Sequence, residues 1–465
     1  MTALGRRTDP KKTLSFWFIV GATSLGFVVS QLDVSIVNIA LPQIAKSFSA
    51  GISSLQWIVD AYTLTFAVLM LSAGGMSDLL GSKRIFQFGI LVFGIASIGC
   101  GLSWSPFSLV AFRVLQGIGA ATMIPSSLSI LNQTFVHDKA QRARAIALWT
   151  AAGSVSIAAG PILGGLLIHL STWRMIFFVN VPLCLTGILL SVRLMGSERQ
   201  QSKGFDIPGQ LTWMLTLTAL IAAIIEWHSY GIKHPLIFGG LIFSAVMMIW
   251  FVRIEKKAAS PILPMHLFKS PTFNVLLLLG TMLNNAYYGT VFILSLYLQN
   301  VLHYPSLTAG FAFLPLTAGF IISNILSGKL TTRHGTRFPI LLGLAIAIAG
   351  FAGLQIAGAH TPYWELFIPF FTIPMGMGLA VPAMTTGILA SVEKSLSGTA
   401  SAVLNTSRQA AGAMGVAIFG AMANGGAAAI VKAISISSVI SAGTLLCVAG
   451  LIFKYLQNPE YYKKS

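Results

Sequence analysis

The sequence predicts an all-α membrane protein with fourteen transmembrane helices, and three observations carry the prediction. Of 465 residues, 55% are hydrophobic and 9% are charged, and the mean hydropathy is +0.80, far above what a soluble core needs. Apolar stretches of roughly 20 residues recur without period-two alternation, so the backbone must cross hydrocarbon as helices rather than as a closed barrel. Basic residues gather in short clusters between these stretches, on alternate sides.

Taken in order, the spanners are 14–41, 52–73, 86–104, 106–132, 145–169, 174–195, 208–228, 234–253, 272–300, 306–328, 338–358, 363–390, 400–424 and 435–456. Arg6, Arg7, Lys11 and Lys12 precede the first one, which holds Asp33 and is too long for a cleaved signal, so it reads as a retained helix. With the N-terminus inside, 23 of the 29 basic residues fall on the cytoplasmic side, four outside, and Arg113 and Arg408 lie within spanners. Such a bias places both termini inside. A formal charge of +17 is therefore a topology signal and not a nucleic-acid surface. Cys100, Cys184 and Cys447 lie in apolar segments and read as small buried apolar groups.

The chain repeats itself. Gly74-Gly75-Met76-Ser77-Asp78-Leu79-Leu80-Gly81-Ser82-Lys83 follows spanner 2, and Gly328 to Arg337 follows spanner 10 with the same glycine spacing, 254 residues later. Ala151-Ala152-Gly153 returns as Ala410-Ala411-Gly412 after 259 residues. These offsets fit two six-helix bundles, 1–195 and 272–465, separated by an inserted pair of helices with its linkers, 196–271. The Arg253 to Pro271 stretch, with Glu255, Lys256, Lys257 and three prolines, reads as a cytoplasmic linker.

Gly74-x-x-x-Asp78-x-x-Gly81-x-Lys83-Arg84 resembles the loop signature of the major facilitator superfamily. The resemblance implies the major facilitator fold, and an Asp78 carboxylate that stabilises one gating state by facing a helix N-terminus and basic groups of the opposite half. A solvated loop charge is the plainer reading. The second copy has Thr332 where Asp78 stands, which points to one gating carboxylate.

Spanner 1 carries Leu32-Asp33-Val34-Ser35-Ile36-Val37-Asn38-Ile39-Ala40-Leu41-Pro42, similar to the first-helix signature of the fourteen-spanner drug:proton antiporters. Spanner 4 carries Arg113-Val114-Leu115-Gln116-Gly117-Ile118-Gly119, similar to that family's fourth-helix motif, whose arginine the resemblance assigns to proton coupling. At 1.5 Å per residue, Arg113 lies about 10 Å, Asp60 about 12 Å and Asp33 about 13 Å below the outer surface. Asp33, Asp60 and Arg113 are accordingly expected to form one proton-responsive cluster, with one acid free while the other pairs. An acid that only holds helices together is the plainer alternative. Gly160-Pro161-Ile162-Leu163-Gly164-Gly165 on spanner 5 resembles the exporters' fifth-helix motif, with Ser156 where glycine is usual. Generic close packing of small residues produces similar stretches.

Arg408 on spanner 13 lacks an obvious acidic partner, leaving helix carbonyls, Asn284, Asn285 or an anionic ligand group. Gln31, Trp57, Tyr62, Asn284, Tyr287 and Arg408 are the candidate cavity residues, with Tyr288, Phe311 and Phe313 as further aromatic possibilities. Glu226 reads as an interfacial acid near Trp227 and His228. His169 and His303 form no metal-ligand pattern.

No phosphate-binding glycine loop, nucleophile triad or Cys/His cluster is present, so neither an enzyme nor a nucleotide-driven pump is expected, and no cofactor or metal. The expected function is proton-coupled export of lipophilic drugs or biocides, monocationic or neutral, by alternating access. Export of a dedicated metabolite such as a siderophore, peptide or amphiphile is a second reading, and a transporter-like receptor or lipid-handling scaffold a third. The expected partners are membrane lipids, protons and a small lipophilic substrate, without nucleic acid. The chain is expected to be a multi-pass monomer of the cytoplasmic (inner) membrane.

Overall fold

Helix is the only regular secondary structure among the described residues of this computed structural model, which are 15–194, 206–231, 233–258, 261–393 and 396–456. The tail cluster at Arg6 to Lys12, Arg199, Lys203, Lys394, Lys463, Lys464 and the Asp78 side chain lie outside them.

The first group comprises α1 (Phe16–Phe48), α2 (Ile52–Leu80), α3 (Ser82–Gly101), α4 (Pro106–Thr134), α5 (Lys139–Leu170), α6 (Met175–Phe178) and α7 (Asn180–Val192). Next come α8 (Ile207–Tyr230) and α9 (Pro235–Glu255), then a 3-10 turn at Met265–Lys269. The last group is α10 (Pro271–Leu296), α11 (Ser306–Ala312), α12 (Leu314–His334), α13 (Arg337–Gly353), α14 (Tyr363–Ala390), α15 (Ser397–Met422) and α16 (Ala427–Tyr455). Twelve helical stretches among the described residues are long and apolar enough to cross a membrane. They become thirteen when the two arms of α5, bent by 41°, count as one span. The helix α15 is equally long, but Asn405, Thr406, Ser407, Arg408 and Gln409 interrupt its apolar course.

Several helices outrun their apolar segments, because a hydrogen-bonded helix need not stop where hydrocarbon does. Thus α1 continues through Pro42 to Phe48, and α2 continues to Leu80. The sixth segment is broken at Val179 into α6 and α7, and the tenth at Phe313 into α11 and α12. Pro315, near the start of α12, lacks the N–H needed to continue a helix from α11. In α5 the bend falls between Ile157 and Ala159, where the ring of Pro161 collides with the carbonyl four residues earlier.

Packing sorts the helices into two groups. The first is built on α1 with α5, α3 with α4, and α2 with α4, and the second on α10 with α15, α13 with α14, and α12 with α14. The pair α8 and α9 pack on each other, and α8 lies against α2 and α15. Gly81, at φ +95°, turns the chain between α2 and α3, and Gly335, at φ +74°, does so between α12 and α13. Two residues after each glycine comes a cation that caps a helix end. Lys83 donates to the carbonyls of Val192 (2.8 Å) and Leu194 (2.7 Å) at the end of α7, and Arg337 donates to that of Phe453 (2.7 Å) on α16. The 254-residue echo in the sequence is therefore the same device used twice.

Candidate functional site: a buried charge network beside an aromatic cavity

Asp33 and Arg113 are completely buried, at 0% and 1% exposure, and form an ion pair. The carboxylate also accepts from Gln116 Nε2 (3.2 Å) and Asn180 Nδ2 (3.0 Å). Arg113 donates to Gln116 Oε1 and to the Ile58 carbonyl, both at 2.9 Å, and its guanidinium lies 4.4 Å from the centre of the Tyr62 ring. Ser97 and Cys100 complete the ring of bonds around Gln116. A buried ion pair survives in a low dielectric only when its remaining donors and acceptors are filled. Four helices, α1, α2, α4 and α7, fill most of them here, and α3 adds two side chains.

Asp60 is equally buried at 0% exposure, but neither carboxyl oxygen has a hydrogen-bond partner among the described residues. It is separate from the Asp33 and Arg113 pair. Ile58 turns its carbonyl to Arg113, whereas Gln56, one turn before Asp60 on the same face of α2, donates to the Val416 (3.1 Å) and Ala417 (2.7 Å) carbonyls of α15. One turn after Asp60, Leu64 packs in a cluster with Ala410, Ala413 and Ala417. Asp60 thus lies on the seam between the two helix groups rather than inside the first.

The Gly74 to Arg84 motif is mostly helical rather than a loop. Gly74 lies within α2 with no neighbour where a Cβ would stand, Gly81 makes the turn, and Arg84 is exposed. Lys83 caps α7 of its own group, as described above.

At the opposite face from the first and last described residues, the two groups close on one another. Gln299 donates to the Ile39 carbonyl at 3.0 Å, and Ser295 to that of Asn38. A Cβ at Gly165 would stand 2.6 Å from the Ser306 carbonyl oxygen, and one at Gly310 2.5 Å from that of Pro161. The fifth-helix motif is therefore a backbone-to-backbone seal against α11. Within the first group, Gly160 is overhung by Ser35 and Gly164 by Ile36, fixing α5 on α1.

Between the groups lies a small cavity of about 40 Å³, with Val34, Ser35 and Asn38 on one wall and Tyr287, Tyr288 and Phe313 on the other. Of the six cavity residues suggested by sequence, Tyr287 alone lines it. Tyr62 is spent in the charge network and donates to the Ser30 carbonyl. Trp57 donates its indole N–H to Glu226 (2.8 Å), and Asn284 is held by the Gly280 carbonyl (2.8 Å). Gln31 and Arg408 are not among the lining residues. Phe311 is exposed.

Other sequence expectations are corrected similarly. Glu226 is the acceptor for both Trp57 and Ser53 (2.9 Å), so it ties α8 to α2 instead of facing the interface freely. Cys100 and Cys184 are buried, but Cys447 is exposed. Gln116 and Asn180 are hydrogen-bond partners of Asp33 not singled out by sequence. Gln116 stands three residues after Arg113 on the same helix face, which is a readable signal, whereas Asn180 offered only an amide in an apolar run.

A chain of this fold, with a sealed face, a central cavity and a buried charge network, belongs to the Major Facilitator Superfamily, whose family model matches residues 23–416. It is a multi-pass membrane transporter and not an enzyme. Over 398 residues it is 36% identical to the methylenomycin A resistance protein of Bacillus subtilis, covering 85% of each chain. Over 402 residues it is 33% identical to the multidrug resistance protein Stp of Mycobacterium tuberculosis, covering 86% of this chain and 74% of the other. Among solved structures, a bacterial homologue of the human lysosomal transporter Spinster superposes with a TM-score of 0.66 at 18% identity, covering 97% of this chain and 98% of that one.

Proposed function

We propose that this transporter exports lipophilic drugs from the cell across the cytoplasmic membrane in exchange for protons, by alternating access. The observation that carries the proton coupling is Asp60, a buried carboxyl group without a donor on the seam that must open and close. A carboxylate there has no counter-charge, and a bound proton is the smallest group that supplies one. Asp33, by contrast, is already neutralised by Arg113. In the proposed cycle the two halves rock about the cavity. The sealed α5 and α11 ends part, Asp60 exchanges its proton as the seam shears, and the Asp33 and Arg113 network holds the first half rigid or takes the proton in turn.

The resistance and efflux relatives support drug export as the physiological direction. A mostly apolar cavity with aromatic walls supports a lipophilic cargo. The remaining topology follows the same reading: both termini and the basic clusters are cytoplasmic, fourteen helices cross, and the α8 and α9 pair is an insertion between two six-helix halves.

The test is substrate-induced proton movement in oriented vesicles containing the purified protein, challenged with a panel of lipophilic antibiotics and dyes. Proton release that follows substrate uptake, and collapses when the gradient is dissipated, is the expected result. Transport of the same compounds without any proton movement contradicts it.

A further inference from the structure

The cavity has no counter-charge for a cation. None of its lining residues among those described is charged. Asp33 is withdrawn into its pair with Arg113, and Asp60 lies on the α15-facing side of α2.

A cation whose Nε has no hydrogen-bond partner among the described residues lies one helical turn from a cavity wall. The helices α10 and α15 run parallel, with Gly412 against the Tyr288 ring and Gly415 against the Asn285 backbone. Arg408 is one turn before Gly412 on the same face of α15, so it lies on the stripe that meets α10, one turn below the Tyr288 wall of the cavity. The guanidinium and the Tyr288 phenol are electrostatic neighbours. Its Nε is buried without a hydrogen-bond partner among the described residues, and no carboxylate pairs with it among them; the neighbouring amides Asn284 and Asn285 turn their NH₂ groups to the Gly280 and Ala411 carbonyls. A guanidinium presents five donors suited to a carboxylate or other oxyanion, and a positive charge left uncompensated in a low dielectric repels a second one.

We propose that the cavity selects amphipathic compounds with an apolar body and a single anionic group, which Arg408 receives, and that it discriminates against permanent cations. This narrows the cargo of the exporter proposed above and rests on the cavity being its transport site. It also replaces the monocationic or neutral cargo expected from sequence.

The experiment compares three probes with one aromatic body: 1-naphthaleneacetate, 1-naphthaleneacetamide and (1-naphthylmethyl)trimethylammonium. Their dissociation constants are measured on the full chain in nanodiscs, for wild type, Arg408→Lys and Arg408→Gln, and proton movement is followed in vesicles with the same probes. The expected result in wild type is acetate tighter than the ammonium compound by about tenfold or more, with the order retained in Arg408→Lys and lost in Arg408→Gln. An unchanged acetamide affinity shows that each variant is folded. Should Arg408→Gln fail to fold, the wild-type order and Arg408→Lys still decide. Ammonium binding as tight as acetate in wild type, an acetate preference that survives Arg408→Gln, or binding of none of the three overturns the inference. Proton exchange driven by the ammonium compound overturns the charge selectivity and leaves the exporter reading standing. Acetate binding that depends on Arg408 without proton movement from any probe leaves the charge selectivity standing and overturns proton coupling.

Discussion

Asp33 and Asp60 are both fully buried acids, yet replacing each with asparagine should have opposite signatures. Asp33→Asn strips the charge from a pair and leaves Arg113 buried and uncompensated, which costs about 3–5 kcal/mol and should appear as a large drop in the thermal midpoint of the purified protein. Asp60→Asn breaks no hydrogen bond, because neither oxygen has a donor. Its stability should change by less than about 1 kcal/mol, while proton-coupled transport is lost. Equal stability losses in the two variants would contradict the division of roles. At this scale the Asp33 and Arg113 pairing was readable in advance, since both residues come out at similar depth when counted at a fixed rise per residue. The separation of Asp60 from that pair was not. Depth says nothing of rotation about the helix axis, and rotation is what turns Asp60 towards α15 and Trp57 towards α8.

Helices meet most closely where side chains are absent, and the α5 and α11 seal depends on that. Gly310→Leu puts a side chain where the Pro161 carbonyl oxygen stands 2.5 Å from an added Cβ. That face should be held open, giving faster labelling of a cysteine placed beside Ser306 and a transport rate lowered by at least about tenfold. Labelling no faster than in the otherwise unmodified protein would show that this seal is not the gate. The α8 helix makes a second testable contact. Glu226→Leu removes the acceptor for Ser53 and Trp57 and should cost about 1.5–3 kcal/mol in thermal unfolding, whereas Glu226→Gln keeps a carbonyl oxygen in place and should cost less. Helix existence was legible from apolar runs, and the bend of α5 from Pro161. Helix ends were less so, as at Phe48 and Leu80, because polar termini extend beyond the hydrocarbon-facing stretch that hydropathy reports. For α15 the converse holds: polar residues dilute its apolar signal, yet its helix is continuous.

At the scale of the whole molecule, the sequence echo between the Gly74 and Gly328 segments becomes two matching turns, each followed by a cation on a helix end, Lys83 on α7 and Arg337 on α16. The repeat in sequence therefore carried architectural information that composition alone could not. Cavity chemistry was the least legible part, since its walls come from α1, α5, α10 and α12, helices far apart in sequence whose facing sides are set only on assembly. In the proposed cycle a buried carboxyl on the seam between the halves, Asp60, carries the exchanged proton. The most direct measurement of this is substrate-induced proton flux in oriented vesicles, wild type against Asp60→Asn, with substrate binding measured in parallel. Asp60→Asn should bind substrate with near wild-type affinity and move no protons, and proton flux undiminished in that variant would rule out Asp60 as the proton carrier.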